Sequence, residues 1–190
     1  MTEPFDCACN RIRAMIARSE VAEDPAHADN TLAWLLRLEP AADQALQLAA
    51  LAHDIERATR DRYRREAFDD YDAFKAAHAR RGARLLRRLI QPCGLPPATL
   101  DEACRLVERH ETGGDPRSDL LREADSLSYF DVNLPLYYAR EGWDETLRRA
   151  IWGLGRLGRR GRDAMHGLRY QNPILQRLVD TALQSVAPVS

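Results

Sequence analysis

The sequence contains little that would indicate a membrane, a secretory route or a disulfide scaffold. No segment reaches the roughly 18 uninterrupted apolar residues that a membrane-spanning helix needs, and the N-terminus MTEPFDCACNRIR has no apolar signal-peptide core. The four cysteines include no CxxC pair, and a chain of 190 residues does not need disulfides in order to fold. These absences predict a cytoplasmic protein with reduced thiols and no membrane partner.

Lysine is almost absent, and the charge is nearly balanced. Lys75 is the only lysine among 28 basic residues, and the formal net charge is −1. This balance argues against nucleic acid as the main partner, although it leaves room for a local basic site. The arginine excess, together with abundant alanine, fits GC-rich coding, so one arginine taken alone says little about function.

The sequence also lacks strand alternation, and it divides into helical stretches separated by prolines and glycines. We predict helices over about 6–19, 26–38, 42–59, 71–90, 98–110, 117–131 and 143–158, and a last helix that begins near Pro173. The expected fold is an all-α bundle of about seven to eight helices, as a single domain over 1–190. Its C-terminal helices, at about 143–188, would cover the earlier ones.

Ligand-type side chains lie on the apolar faces of successive predicted helices. The chain has five histidines, and four of them share the i, i+3, i+4, i+7 spacing of apolar residues. One such histidine is more often an ordinary core residue than a ligand. A metal site in a crevice of the bundle explains the whole set together. The predicted ligands are His27, His53, Asp54, His78, His110 and Asp125.

The adjacent pair His53-Asp54 restricts where such a site can lie. Neighbouring residues of a helix point about 100° apart. Both can therefore contact one cluster of ions only if the cluster sits in a crevice between several helices. In that position Asp54 could bridge two cations while His53 serves one.

The order of these residues resembles the HD-domain superfamily, whose pattern is a His, a His-Asp pair and a distant Asp on helices. The matching residues are His27, LAHDIER with His53 and Asp54, and READSLSYFD with Asp125. The resemblance covers about residues 20–135, which would form the ligand-bearing core. It implies an HD-type helical bundle with its metal site between the central helices.

Two further histidines, His78 and His110, resemble the branch of that superfamily that holds a dinuclear centre. The stretches HARRGARLL and RHETGGDPRSDLLREADSL look like those of HD-type diadenosine tetraphosphate hydrolases. By this resemblance Asp54, His78 and His110 would hold one metal. The other would be held by His27, His53, Asp54 and Asp125.

Four imidazoles and two carboxylates favour iron, manganese, cobalt or nickel over magnesium, which prefers oxygen ligands. We therefore expect two divalent transition-metal ions, with iron the favoured metal. Two cations lower the pKa of a bridging water, and the resulting hydroxide suits attack on phosphorus. The implied enzyme is a metal-dependent phosphohydrolase whose substrate partner is a nucleotide or another small phosphate ester or anhydride.

Basic residues near the ligands are candidate phosphate binders. Arg57 lies one turn after Asp54, which itself has the predicted catalytic role of bridging the metals. Lys75 lies one turn before His78, and Arg81 lies one turn after it. The alternative is that these basic side chains form a solvated helix face.

Two other functions are compatible with the same residues. The HD superfamily includes mixed-valent di-iron oxygenases, such as myo-inositol oxygenase, which share the six-ligand arrangement. A non-catalytic HD ligand sensor is the third alternative. The ligands alone do not separate these functions, and the oligomeric state stays open, with a homodimer among the alternatives.

Overall fold

The computed structural model describes residues 2–186, and the part of the chain that it describes contains helices and no strand. The all-α prediction is thus confirmed. No helix in this part is both long and apolar enough to cross a membrane. The predicted end of the last helices, at about 188, lies outside the described residues. The α-helices are α1 Pro4–Ile16, α2 Asp24–Leu38, α3 Gln44–Ala52, α4 Tyr71–Ile90, α5 Pro97–Arg109, α6 Pro116–Ser128, α7 Leu134–Gly155, α8 Arg159–Met165 and α9 Pro173–Gln184.

Helix starts follow local sequence signals. The side chains of Asp43, Asp70 and Asp115 accept hydrogen bonds from backbone N–H groups in the first turns of α3, α4 and α6, which otherwise lack partners. Prolines occupy the first turns of α1, α2, α5, α6, α7 and α9, where a missing N–H costs nothing. After α4, Gly94 adopts the left-handed conformation at φ 76°, which favours glycine.

The third helix ends earlier than the sequence predicts. α3 stops at Ala52, and the chain turns through Asp54 (φ −100°, ψ 16°) into a 3₁₀ helix over Ile55–Ala58. Within that turn the Glu56 side chain points into the interior, and this residue is 1% exposed. The predicted helix over 42–59 is therefore wrong after Ala52, because the tertiary contacts of Glu56 override the local helix propensity.

The connection after α6 also differs from the prediction. A π-helical segment, Tyr129–Asn133, leads from α6 directly into α7. Pro135 lies in the first turn of α7, where proline is tolerated, so it does not end a helix. The chain bends instead at Gly142, whose φ of 74° interrupts α7.

The helices pack around α3, which is apolar on all sides from Leu48 to Ala52. The main contacts join α4 to α5, α2 to α6, and α3 to both α2 and α5, while α7 packs on α9. A helical segment that is hydrophobic all round must be buried. The two residues that directly follow it, His53 and Asp54, therefore lie inside the bundle. The fully buried residues of α3 are Leu48, Ala49, Ala50, Leu51 and Ala52.

A disulfide joins α1 to the turn that follows α4. It links Cys7 to Cys93, whose Cα atoms are 5.7 Å apart, while Cys9 and Cys104 are buried free thiols. The prediction of four reduced thiols is wrong for this pair. The two partners are 86 residues apart in sequence, so no local spacing could indicate them. The cytoplasmic location stays a prediction, without the support of cysteine content.

Candidate metal centre

Four histidines from four different elements converge inside the bundle. His27 lies in the first turn of α2, His53 and His110 directly follow α3 and α5, and His78 lies within α4. Each is at most 5% exposed. Ring centroids are 5.1 Å apart for His27 and His53, 5.4 Å for His53 and His110, and 5.8 Å for His78 and His110. The predicted histidines therefore form one continuous cluster.

Two carboxylates divide this cluster into two groups. Asp125 Oδ1 lies 3.2 Å from His27 Nε2 and 3.6 Å from His53 Nε2. Each group has three ligand atoms within 4.8 Å of one another and could hold a metal ion. The groups are His27, His53 and Asp125, and Asp54, His78 and His110.

Asp54 faces both groups. Its Oδ1 lies 3.0 Å from His78 Nε2 and 3.8 Å from His110 Nε2, and its Oδ2 lies 3.7 Å from His53 Nε2. This position of the carboxylate, with one oxygen towards each group, is the one that a bridging ligand requires.

The second nitrogen of each imidazole is engaged by the protein. His53 Nδ1 lies 2.9 Å from the carbonyl oxygen of Ala50, and His110 Nδ1 lies 2.7 Å from that of Val107. Carbonyl oxygens only accept hydrogen bonds, so Nδ1 carries the proton in both rings. The Nε2 lone pairs are thereby left for a metal, which is the usual orientation of metal-binding histidines.

The other two rings are oriented by side chains. Ser128 Oγ donates to the His27 carbonyl oxygen at 3.1 Å and lies 2.9 Å from His27 Nδ1. Glu56 Oε2 lies 2.9 Å from His78 Nδ1, which donates to it. Carboxylate–histidine pairs of this kind raise the basicity of a ligand. The donor set and its supporting hydrogen bonds thus fit two cations.

Sequence reasoning missed Glu56, which has a structural role beside the ligands. Its Oε1 accepts hydrogen bonds from the Tyr63 backbone N–H at 2.7 Å and from Arg81 Nη1 at 3.2 Å. The available signal was its place two residues after Asp54 in LAHDIER. Nothing local, however, indicates that this carboxylate points inward.

The protonation states favour cation binding. Burial lowers the pKa of His53 to about 4, so this imidazole is neutral. Burial opposes ionisation of Asp54 and Asp125, yet the charge of Arg57 holds the pKa of Asp54, and the charge of Arg156 holds that of Asp125, below the usual range. Both carboxylates are therefore charged at neutral pH.

His78 is the exception among the imidazoles. Burial alone would lower its pKa, but hydrogen bonds to Asp54 and Glu56 raise it to about 9. Coordination by Nε2 would therefore release a proton at neutral pH.

A cavity of about 430 Å³ opens onto the cluster. Of the predicted ligands, His27, Asp54, His78 and Asp125 line it. Its wall contains carboxylates and guanidinium groups in equal number. The carboxylates there are Glu23, Asp54, Glu56, Glu111 and Asp125, and the guanidinium groups are Arg57, Arg62, Arg140, Arg149 and Arg156.

Arg57 lines the cavity and contacts a predicted ligand. Its Nη1 lies 3.0 Å from Asp54 Oδ2, and its Nη2 lies 2.9 Å from Asp24 Oδ1. Arg57 therefore holds the Asp54 carboxylate in place from the side of α2.

Lys75 and Arg81 lie outside the cavity wall. Lys75 Nζ is 3.0 Å from Asp72 Oδ1 and lies over the rings of Tyr71 and Trp152. Arg81 pairs with Glu56 and, at 2.6 Å, with Asp61. In this arrangement Arg81 supports a residue that orients His78.

Two arginines of α7, Arg149 and Arg156, line the cavity although the sequence did not single them out. Arg156 Nη2 lies 3.0 Å from Asp125 Oδ2. Arg149 stacks over Trp152, with Cζ 4.3 Å from the ring centroid. The other four cavity arginines each pair with a carboxylate. Arg149 forms no ion pair with any carboxylate of residues 2–186. Its Nη1 lies 3.3 Å from the Tyr71 hydroxyl oxygen, so it is a guanidinium without a direct carboxylate partner beside the candidate ligands.

Comparison with known proteins places the chain in a family. No curated protein and no solved structure matches it. The profile of a family described as a domain of unknown function, DUF4202, matches residues 10–179, which contain all six predicted ligands. The chain therefore belongs to the DUF4202 family.

Proposed function

We propose that the protein is an HD-type, dinuclear-metal phosphohydrolase that acts on a nucleotide or another small phosphate ester or anhydride. The observation that carries the proposal is that two His/Asp groups share a cavity with Arg149, which lacks a carboxylate partner among the described residues. The order of the ligands along the chain, which resembles the HD pattern, supports it as well.

The charge of the cavity favours an anionic substrate. Its five carboxylates and five guanidinium groups are equal in number, so two bound divalent cations give the cavity an excess of positive charge. A partly enclosed site with excess positive charge attracts anions and stabilises charge that develops on phosphate oxygens. A phosphate ester meets this requirement, whereas an uncharged polyol does not.

The residues have separate roles in this proposal. Two divalent transition-metal ions, with iron favoured, would supply Lewis acidity and an activated water. Asp54 and Asp125 are ionised and hold the cations, Arg57 and Arg156 keep these carboxylates in position, and Arg149 binds a phosphate oxygen. Arg81 supports His78 through Glu56 from outside the cavity, while Lys75 packs on the cavity residue Tyr71.

The main alternative is a di-iron oxygenase of the HD type, which rests on the same six ligands. This alternative does not account for Arg149, a guanidinium without a carboxylate partner beside those ligands, because a polyol substrate needs no anion site. A non-catalytic sensor is the third candidate, and it would bind phosphorylated ligands without turnover.

The proposal is tested by assaying protein loaded with Fe²⁺, Mn²⁺, Co²⁺ or Ni²⁺ against a panel of phosphate monoesters, dinucleoside polyphosphates and nucleoside triphosphates. We expect phosphate release by wild type and by the His166→Ala control, whose imidazole is exposed near α8, and none by Asp54→Ala. Oxygen consumption on a polyol, with no phosphate release from any ester, would support the oxygenase instead. Tight phosphate-ester binding without turnover would indicate the sensor.

A further inference from the structure

One wall of the cavity is formed by the π-helical segment Tyr129–Asn133, whose first and last residues both line the cavity. A π-helical turn adds a residue to the helical repeat, and such turns occur frequently at functional sites. The segment directly follows α6, the helix that carries Asp125. It therefore places side chains in the same cavity as the two ligand groups.

The backbone of this turn is held from outside the cavity. Asp131 Oδ2 accepts hydrogen bonds from Asn30 Nδ2 at 3.0 Å and from Trp34 Nε1 at 3.1 Å. The Phe130 carbonyl oxygen accepts one from the Tyr170 hydroxyl at 2.6 Å, and the Phe130 side chain is fully buried. These contacts maintain the turn without any contribution from its two cavity-lining side chains.

Those two side chains have unused hydrogen-bonding capacity. Tyr129 Oη and Asn133 Oδ1 are shielded from solvent, yet neither has a hydrogen-bond partner in the described part of the chain. A buried polar atom without a partner destabilises a fold, so it calls for an explanation such as a ligand that supplies the missing bond. The arginines of the cavity do not fill this role.

The polar groups of these two side chains are uncharged, and they lie next to cavity arginines, with Arg149 Cζ 5.5 Å from the centroid of the Tyr129 ring. Burial raises the pKa of Tyr129 above its usual range, so its hydroxyl is a neutral donor and acceptor. The Asn133 carboxamide also offers both kinds of group. Tyr137 packs edge-on against Tyr129, with centroids 6.1 Å apart, and adds aromatic surface. The complementary ligand is an uncharged group with donors, acceptors and an apolar face.

We propose that Tyr129 and Asn133 form a subsite that binds the uncharged, hydroxyl- or amide-bearing part of the substrate, while the neighbouring Arg149 binds its phosphate. A sugar and a nucleobase share this chemistry. The inference rests on the proposed function, because it divides one phosphorylated substrate between this subsite and the neighbouring Arg149.

The first test compares esters that differ in what is attached to the phosphate. Methyl phosphate has no further polar group, whereas the ribonucleoside 5′-monophosphates and glucose 6-phosphate do. We expect Tyr129→Phe and Asn133→Ala to lower kcat/KM for the best polar ester about tenfold or more, as loss of a buried hydrogen bond does. Their rates on methyl phosphate should stay close to wild type. Tyr138→Phe on α7 and Asn10→Ala on α1 lie outside the cavity wall and serve as matched controls.

The second test does not depend on catalysis. Adenosine, guanosine, cytidine, uridine, ribose and glucose are titrated calorimetrically into wild type and the same variants, without added metal. Binding of a nucleoside but not of ribose would identify the base as the bound part, and binding of ribose or glucose would identify the sugar. In either case the two subsite variants should bind at least about tenfold more weakly.

The outcomes separate the two proposals. If no ester is hydrolysed but a nucleoside or sugar binds wild type and not the variants, the subsite stands and the phosphohydrolase fails. The subsite is overturned and the phosphohydrolase stands if esters are hydrolysed but the variants lose activity on methyl phosphate and on polar esters equally. The same conclusion follows if esters are hydrolysed and the variants bind every titrated compound as tightly as wild type does. Wild type that binds none of the six compounds also overturns the subsite.

Discussion

Arg156 Nη2 lies 3.0 Å from Asp125 Oδ2, so a residue at the end of α7 fixes a ligand-type carboxylate that α6 carries. The other oxygen of that carboxylate, Oδ1, faces His27 Nε2 at 3.2 Å. The C-terminal part of the chain therefore completes a site whose six ligand-type residues all lie before it.

This pairing predicts that Arg156 controls metal affinity without being a ligand. Arg156→Met removes the partner of Asp125 Oδ2 but keeps much of the packing against Trp152. We expect the dissociation constant of the His27/His53/Asp125 metal to rise about 10- to 100-fold, as is usual when a residue supporting a ligand is lost. Competition with a chelator measures this constant. An unchanged affinity, with Arg84→Met on the outer face of α4 as control, would show that Asp125 needs no such support.

The two ligand groups predict different metal losses. Wild type should carry close to two transition-metal ions per chain, because each group has three convergent ligand atoms. His78→Ala or His110→Ala should lose one ion and keep the other, since these residues serve only one group. Asp54→Ala, which removes the shared carboxylate, should lower the content of both ions.

Metal content is measured by elemental analysis of protein purified under identical conditions. His166→Ala is the control and should retain both ions. Full metal content in Asp54→Ala, or an equal loss in the His166 variant, would contradict the ligand assignment.

Arg149 should bind the anion directly. It is the cavity arginine that forms no ion pair with a carboxylate of residues 2–186, so its charge is free to attract a phosphate. Arg149→Ala should lower kcat/KM on the best phosphate ester about 100-fold, with metal content unchanged. Arg149→Lys should recover only part of the activity, because an ammonium cannot replace a planar fork.

The comparison with Arg57→Ala makes this prediction specific. Arg57 contacts Asp54, so its loss should weaken metal binding as well as turnover. Turnover and metal content are measured on the same samples. If Arg149→Ala hydrolyses esters as fast as wild type at equal metal loading, the anion site lies elsewhere.

Asp115 predicts a pH-dependent contribution to stability at the start of α6. Its oxygens accept hydrogen bonds from the Ser118 backbone N–H at 3.1 Å and from Arg105 Nη1 at 2.8 Å. The hydrogen bond to Arg105, followed by those to Ser118, lowers the pKa of Asp115 in the folded protein. The contribution is therefore complete above the unfolded-state pKa of about 4, and it is lost as the pH falls towards the lower folded-state pKa.

Loss of the helix cap in Asp115→Ala should decrease the free energy of unfolding by about 1 kcal/mol at pH 7. This difference from wild type should shrink as the pH falls below about 4. Urea unfolding at a series of pH values measures it, with Asp69→Ala, an exposed residue in the loop before α4, as control. A difference that stays constant down to acidic pH would mean that the Asp115 charge contributes nothing.

Local chemistry in the sequence determined most of the helices and the set of candidate ligands. Capping residues such as Asp43 and Asp115, prolines in first turns, and apolar residues at helical spacing place most of the helices, although α7 begins at Leu134 instead of at about 143 and α8 was not predicted. The same spacing puts His27, His78 and Asp125 on inward faces. Polar residues on such faces must find partners, so their convergence could be predicted before any contact was known.

Only the tertiary structure decided which residues complete the site. Glu56, Arg149 and Arg156 carry no local signal, because an inward-facing charge looks like any surface charge until its distant partner is known. The same holds for the Cys7–Cys93 disulfide and for the early end of α3. Each depends on contacts between residues far apart in the chain, and the energy of such contacts overrides the local preferences that a sequence displays.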